Sequence, residues 1–223
     1  MLNIAVLADM HLPGAADSVQ EDVLRFAAAS IAKNAPDAVL CLGDITADGT
    51  PEVAPPYERL LGEVTVPVLT VLGNSDVRSP ARRAEMLRLE SADELRAGGV
   101  RFLGLHTADG KLTERDRARL LSAGADTVIV MHHPPQSLLA DDAAFFARWR
   151  QDGAYRLILC GHLHVELREE KLLSVRALDP DKAIGGAPAV TYITLDGDGW
   201  SASVDEFPDA PPAGWEEFLG LSC

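Results

Sequence analysis

Histidines and carboxylates recur at the ends of apolar runs in this sequence. All six histidines lie at or just beyond the carboxyl end of such a run, and so does Asn74, one of only three asparagines. Ligand sites in open α/β sheets form at the carboxyl ends of the strands, so this placement indicates one shared site. Apart from His106, which stands alone, these residues form five clusters in chain order: Asp9-Met10-His11, Gly43-Asp44, Gly73-Asn74-Ser75-Asp76, His132-His133-Pro134 and Gly161-His162-Leu163-His164.

The side chains in these clusters are metal ligands by type. They offer carboxylate, imidazole and amide oxygen without thiolate, a set that suits Mn, Fe or Zn. Asp-x-His and His-x-His spacing places both side chains on one side of an extended segment, so we expect both to reach one site. A glycine before the ligand lets the backbone come close to a metal or a phosphate.

The elements that carry these clusters alternate in type. Near-continuous apolar runs predict strands buried on both faces. Capping residues predict helices that begin at Ser18, at Ser79-Pro80, at Thr113 and at Asp141, the last two ending at glycines 124 and 153. This alternation predicts an α/β fold with largely parallel strands. The predicted strands are residues 2–8, 38–42, 67–72, 100–105, 127–131 and 156–160.

The alternation of strands and helices ends after residue 165. Three strand-like runs (172–178, 188–195 and 199–207) follow without helices between them, and we expect them to form a second, more antiparallel sheet packed on the first. Residues 208–223 read as a proline-rich tail. With no convincing linker, a single domain spanning residues 1–223 is the simplest interpretation.

The five clusters, taken in order, resemble the motifs of the calcineurin-like metallophosphoesterases: D-x-H, G-D, G-N-H-D/E, H and G-H-x-H. The match runs from Asp9 to His164. The resemblance implies a four-layer αββα sandwich, with two mostly parallel or mixed β-sheets flanked by helices.

The resemblance also implies a site for two metal ions. One ion would be held by Asp9, His11 and His164, the other by Asn74, His132 and His162, and Asp44 would bridge the two. His132 is preferred to His133 because the family's ligand stands two residues before the proline. In this family a metal-bridging hydroxide attacks phosphorus in line with the leaving group, and Asn74 would help to stabilise the phosphoryl oxygens.

Ser75 departs from the family pattern, which has a histidine at this position. That histidine is thought to protonate the leaving oxygen, and a serine hydroxyl cannot do so near neutral pH. We expect Ser75 to leave a gap in the site and Asp76 to have lost its partner. His133 and His106 are candidates for a partial catalytic replacement. The alternatives are a wall residue for His133 and a surface loop residue for His106.

Composition narrows the range of partners. The 223 residues carry a formal net charge of −14, and no lysine and arginine cluster is present, so nucleic acid is disfavoured as the main partner. No apolar run reaches the roughly 20 residues that span a bilayer. The chain begins with a strand and no basic region, which predicts a cytoplasmic protein without a signal peptide. Cys41 and Cys160 are expected to be buried, and Cys223 to be exposed.

These observations favour a dimetal-dependent phosphohydrolase whose substrate is a small phosphodiester. The alternatives are a phosphomonoesterase of small metabolites, a non-catalytic metal-stabilised interaction protein, and a DNA nuclease, which the acidic charge disfavours. Arg78 has two interpretations as well: a solvated arginine at a helix start, or a clamp for a phosphate oxygen. A homo-oligomer is left open.

Overall fold

Two β-sheets form the centre of the protein. The computed structural model describes residues 1–15, 17–91 and 93–208. The first sheet has the strand order β11-β10-β1-β2-β3, with β1, β2 and β3 parallel and β10 and β11 antiparallel at one side. Its strands are β1 (Leu2–Leu7), β2 (Ala38–Cys41), β3 (Val68–Thr70), β10 (Ala189–Asp196) and β11 (Gly199–Glu206).

The second sheet has the strand order β4-β5-β6-β7-β9-β8. Its central strands β5, β6, β7 and β9 run parallel, while β4 and β8 pair antiparallel at the two edges. The strands are β4 (Glu94–Ala97), β5 (Val100–Gly104), β6 (Thr127–Met131), β7 (Leu157–Cys160), β8 (Leu167–Glu169) and β9 (Leu172–Ser174).

Alternation along the strands creates four layers. In β1, Ile4 and Val6 point into a core shared by both sheets, whereas Ala5 and Leu7 pack with the helices outside the first sheet. The second sheet behaves in the same way, because Val130 joins the shared core and Ile129 joins an outer core with helices. Side chains of successive strand residues point to opposite faces, so strands buried on both faces produce the αββα sandwich.

Within the described residues, five α-helices cover the outer faces: α1 (Val19–Asn34), α2 (Pro55–Glu63), α3 (Arg83–Met86), α4 (Glu114–Leu121) and α5 (Ala140–Asp152). Ser18 caps α1 through the amide of Glu21, and Thr113 forms a full capping box with Asp116 at α4. Across the described parts of the chain, no helix is both long and apolar enough to cross a membrane.

The structure confirms the six N-terminal strand predictions and the three later runs, and it corrects four expectations. The late strands do not form a second sheet of their own, because β9 extends one sheet while β10 and β11 extend the other. Ser79 does not cap a helix, since α3 begins at Arg83 without a side-chain cap. Helix α5 likewise begins without a side-chain cap at Leu139, and α4 ends at Leu121, before the predicted glycine.

Of the strands and α-helices, β4, β8 and α2 were not predicted. The buried cysteines are confirmed, with Cys41 and Cys160 both free. The predicted tail and Cys223 lie outside the described residues, apart from Pro208.

The neighbouring phenylalanines of α5 provide a test of the outer core. Phe146 is fully buried, whereas Phe145 is half-buried beneath the Arg117 guanidinium. Phe146→Ala should lower the free energy of unfolding by about 3–5 kcal/mol, the range for deleting a buried aromatic side chain. Phe145→Ala is the matched control and should cost less than half as much in urea unfolding. Equal losses would contradict the assigned orientation of α5.

Candidate metal centre

Loops from both sheets meet at one edge of the sandwich. The segments after β1 and β2 and the segment after β7 place four side chains in one group, Asp9, His11, Asp44 and His164. A second group contains His132, His133 and His162, from the segments after β6 and β7. Within each group, one ligand atom per residue lies within 4.8 Å of the others. The structure therefore brings the predicted ligands from both sheets together.

Asp44 belongs to the first group and also faces the second. Its Oδ2 is 3.6 Å from Nε2 of His11, in the first group, and its Oδ1 is 3.5 Å from Nε2 of His132, in the second. The carboxylate is almost completely buried. One oxygen thus faces each group, which is the arrangement that a bridging ligand requires.

The second group converges on the amide oxygen of Asn74. This oxygen is 3.1 Å from Nε2 of His132 and 3.0 Å from Nδ1 of His162. Nδ1 of His132 lies 2.7 Å from the carbonyl oxygen of Leu42, an acceptor only, so Nδ1 carries the proton of the neutral ring. The unprotonated Nε2 therefore directs a lone pair towards the Asn74 oxygen. The two atoms repel each other as acceptors, and a cation bound to both would remove this repulsion.

The first group has the same character. Nε2 of His11 and Nε2 of His164 are 3.3 Å apart, and the His164 nitrogen is 3.6 Å from Oδ1 of Asp9. Nδ1 of His11 is buried and has no hydrogen-bond partner among the described residues.

The electrostatics of both groups fit bound cations. Burial, together with the charge of Asp44, raises the pKa of Asp9 well above its usual value. Burial lowers the pKa of His11 and that of His132 to about 3, so both rings are neutral ligands at pH 7. Buried carboxylates without a paired cation are unfavourable. Metal ions would supply the missing positive charge, and these oxygen and nitrogen donors suit Mn, Fe or Zn.

The backbone at these residues is left-handed, contrary to the extended segments expected from the i, i+2 spacing. Positive φ occurs at seven non-glycine residues in the described parts of the chain. Five of the seven are candidate ligands: Asp9 (53°), His11 (45°), Asp44 (52°), His162 (70°) and His164 (58°). Such conformations cost about 1–3 kcal/mol each and persist where function and surrounding contacts fix them.

Two glycines permit the close approach of the loops. A Cβ at Gly73 would overlap Oδ1 of Asp44 and would lie 2.7 Å from Cε1 of His132. A Cβ at Gly161 would lie 2.8 Å from Oδ2 of Asp9. A glycine at each of these two positions is thus required by crowding around the site.

Ser75 is not without contacts in the site. Its backbone N–H donates to Oδ1 of Asp44 at 2.8 Å, and its hydroxyl donates to Oδ2 at 3.0 Å. Asp76 is not without partners either. One oxygen accepts from the amide and the hydroxyl of Thr46, and the other accepts from the amide of Gly73. Asp76 therefore joins the loops after β2 and β3.

The two histidines proposed as replacement acids lie in different surroundings. His133 is in the second group, with its ring centroid 4.2 Å from that of His162, and burial lowers its pKa to about 4. The His106 ring instead contacts three carboxylates, Nδ1 lying 3.1 Å from Asp116 and Nε2 lying 3.1 Å from Asp93 and 3.8 Å from Glu90. Its pKa is raised, chiefly by Asp116. The structure thus separates His106 from both groups.

Sequence reasoning missed several residues that support the site. The Thr107 hydroxyl accepts hydrogen bonds from the amides of His132 and His133, both at 3.1 Å. Asp179 donates its amide to the Asp9 carbonyl oxygen, and its carboxylate lies 3.9 Å from Nζ of Lys182. A threonine or an aspartate alone is too common to attract notice, and only the fold shows these contacts.

Residues 2–166 match the calcineurin-like phosphoesterase family. This stretch is most of the chain and contains every candidate ligand, so the chain belongs to this dimetal-dependent family. The chain is also 29% identical to a probable cyclic nucleotide phosphodiesterase of Synechococcus sp. (strain ATCC 27144), over 192 residues and 73% of each chain.

Solved structures show the same fold. A dimetal phosphatase from Danio rerio has a TM-score of 0.63 at 16% identity, covering 92% of this chain and 96% of that chain. An archaeal phosphodiesterase has a TM-score of 0.53 at 14% identity, covering 91% and 99%. At such low identity these similarities establish the architecture alone.

Asp44→Asn should weaken metal binding. The change keeps the shape of the side chain but removes the charge that faces both groups, so we expect metal affinity to fall at least about 10-fold. Metal per chain after dialysis is the measurement. Asp48→Asn, in the same loop and exposed, is the matched control. Two retained metal ions with unchanged turnover would contradict the bridging role.

The metal-free protein should lose stability in acid. Burial lowers the pKa of five histidines below the unfolded value of about 6.5, so the folded chain binds fewer protons than the unfolded chain in acid. The free energy of unfolding should therefore fall between about pH 6.5 and pH 4. The five are His11, His132, His133, His162 and His164.

Two buried carboxyls act in the opposite direction. The pKa of Asp9 is raised and that of Asp76 is raised to about 6, so these two groups stabilise the folded chain as the pH falls. The five histidines outnumber them, and we expect the net stability to fall in acid. Urea unfolding of chelator-treated protein at several pH values is the measurement, and His133→Gln should give a shallower dependence. A midpoint that stays constant or rises towards acid would refute this account.

Proposed function

We propose that this chain is a dimetal phosphohydrolase that acts on a phosphodiester. The observation that carries the proposal is the buried Asp44 carboxylate, with one oxygen facing each group of candidate ligands. Bound metal ions would supply Lewis-acid activation of the ester and of the attacking water. Asp9, His11 and His164 would hold one ion, Asn74, His132 and His162 would hold the other, and Asp44 would serve both.

Charge supports a diester rather than a monoester. The chain has a formal net charge of −14. A diester carries one negative charge and a monoester close to two at pH 7. Electrostatic repulsion by the protein is therefore smaller for the diester.

Leaving-group chemistry is a separate consideration. A general acid must be protonated at the working pH and must reach the leaving oxygen. The Ser75 hydroxyl donates a hydrogen bond to Asp44, and His133, with a pKa near 4, is neutral at pH 7. His106 is surrounded by carboxylates that stabilise its charged form. We infer that no side chain protonates the leaving group, so that an alkoxide, such as that of a cyclic nucleotide, takes its proton from water.

The relative's name suggests a substrate class to test first. The similar Synechococcus protein is described as a probable cyclic nucleotide phosphodiesterase. We propose a small phosphorylated molecule as the partner and the cytoplasm as the location, with cyclic nucleotides as the first candidates.

Hydrolysis of bis(p-nitrophenyl) phosphate in the presence of Mn²⁺ tests the proposal. Turnover should be lost after chelation and should return when metal is added. It should fall at least about 100-fold in Asp44→Asn, because the carboxylate that would serve both metal ions is lost. The exposed variant Asp48→Asn should behave like the unaltered protein.

Other outcomes separate the rival functions. Metal binding without turnover of any diester or monoester would favour an interaction protein. Faster cleavage of p-nitrophenyl phosphate than of the diester would favour a monoesterase. Cleavage of DNA at low salt, in preference to small diesters, would identify a nuclease.

A further inference from the structure

The serine that replaces the family's histidine connects the site to an arginine. The Ser75 hydroxyl donates to Oδ2 of Asp44 and accepts from Nη2 of Arg78 at 3.3 Å. The two residues share a tight turn, because the amide of Arg78 donates to the Ser75 carbonyl oxygen at 3.3 Å. Nη1 of Arg78 also donates to the carbonyl oxygen of Ala47 at 3.2 Å. The guanidinium is thus held beside the loop that carries Asp44.

The charge of Arg78 is not neutralised by a carboxylate. Among the residues that the structure describes, no aspartate or glutamate forms an ion pair with it, and both of its hydrogen-bond acceptors are neutral. The next arginines behave differently. Arg82 pairs with Glu52 and Glu85, Arg83 with Asp109, and Arg88 with Glu58. The Arg78 guanidinium, connected to Asp44 through Ser75, is therefore available to an added anion.

We propose that Arg78, positioned by Ser75, binds a phosphate oxygen of the substrate beside Asp44. The inference rests on the proposed function and names a residue that determines substrate binding. A guanidinium remains charged at every working pH and presents planar N–H donors that match phosphate oxygens. Arg78 is exposed, so its remaining donors face solvent at the rim of the site. Its hydrogen bonds to Ser75 and Ala47 reduce the ordering needed when an anion binds.

The Ser75 hydroxyl connects Arg78 to Asp44. Ser75 is almost completely buried. A hydroxyl can donate to Asp44 and accept from Arg78 at the same time, which forms a polarised chain from guanidinium to carboxylate. The arginine cannot give up its proton near neutral pH, so it stabilises anionic charge and does not act as a general acid.

Calorimetric titration of the Mn²⁺-loaded protein with inorganic phosphate tests the proposal without relying on turnover. Arg78→Ala should weaken phosphate binding about 10-fold, the effect of losing one charge-assisted hydrogen-bonding group. Arg78→Lys should give an intermediate loss, since a point charge remains. Arg82→Ala is the matched control, a half-buried arginine of the same segment that is already paired with two carboxylates. Metal content is measured for every variant.

Ser75 is tested as a positioning residue. Ser75→Ala should weaken phosphate binding in the presence of Arg78 and should have little further effect in Arg78→Ala, so the two changes should not be additive. Ser75→Thr keeps the hydroxyl and should restore most of the affinity. Additive losses would overturn the positioning role of Ser75.

The proposal is overturned if fully metallated Arg78→Ala binds phosphate within about twofold of Arg82→Ala. It is also overturned if the metallated, unaltered protein does not bind phosphate. Phosphate binding that depends on Arg78, in a protein that hydrolyses no phosphate ester, would support this inference while refuting the proposed function. The two failures are therefore distinguishable.

Discussion

The structure depends on a set of buried electron-pair donors that face one another. Among the described residues, no lysine or arginine forms an ion pair with the buried carboxylates of Asp9 and Asp44, and the lone pair of His132 Nε2 is directed towards the Asn74 oxygen. Burial makes such an arrangement unfavourable unless positive charge is added. The arrangement persists because the two sheets share one apolar core, which fixes the distance between the loops that carry these residues.

The convergence of these loops requires an unfavourable backbone conformation. Asp44 and four other candidate ligands adopt the left-handed region, which residues with a side chain seldom occupy. Contacts between the loops hold them there. The amide of His162, after β7, donates to both oxygens of Asp9 in the loop of the other sheet. The amide of His11 donates to the Asp44 carbonyl oxygen at 2.9 Å, within the first sheet. Strain at the site is thus balanced by hydrogen bonds between the loops.

Ser75 takes part in the hydrogen bonds of the site. It uses its amide and its hydroxyl on the two oxygens of Asp44, and Asp76 joins the loops after β2 and β3 through Thr46 and Gly73. Arg78, three residues later, belongs to the same network. The hydrogen bonds of this segment therefore connect the buried Asp44 carboxylate with an exposed arginine.

The sequence by itself determined the family, the α/β class and the residues that assemble. These features are local, because an apolar strand followed by a glycine and a ligand can be recognised in a short window. Six strands were predicted within two residues of their observed bounds, and the five motifs do meet at one edge. The αββα layering itself came from the resemblance to the family.

Only the tertiary structure decided how the late strands divide between the two sheets, because their alternation is compatible with either partner. It also decided that the Asp-x-His segment is left-handed, that His106 contacts Asp93 and Asp116, and that Ser75 contacts Asp44. Ser75 and Asp44 are 31 positions apart. Contacts of this kind depend on the packing of separate loops, and no short stretch of sequence contains the distances that fix them.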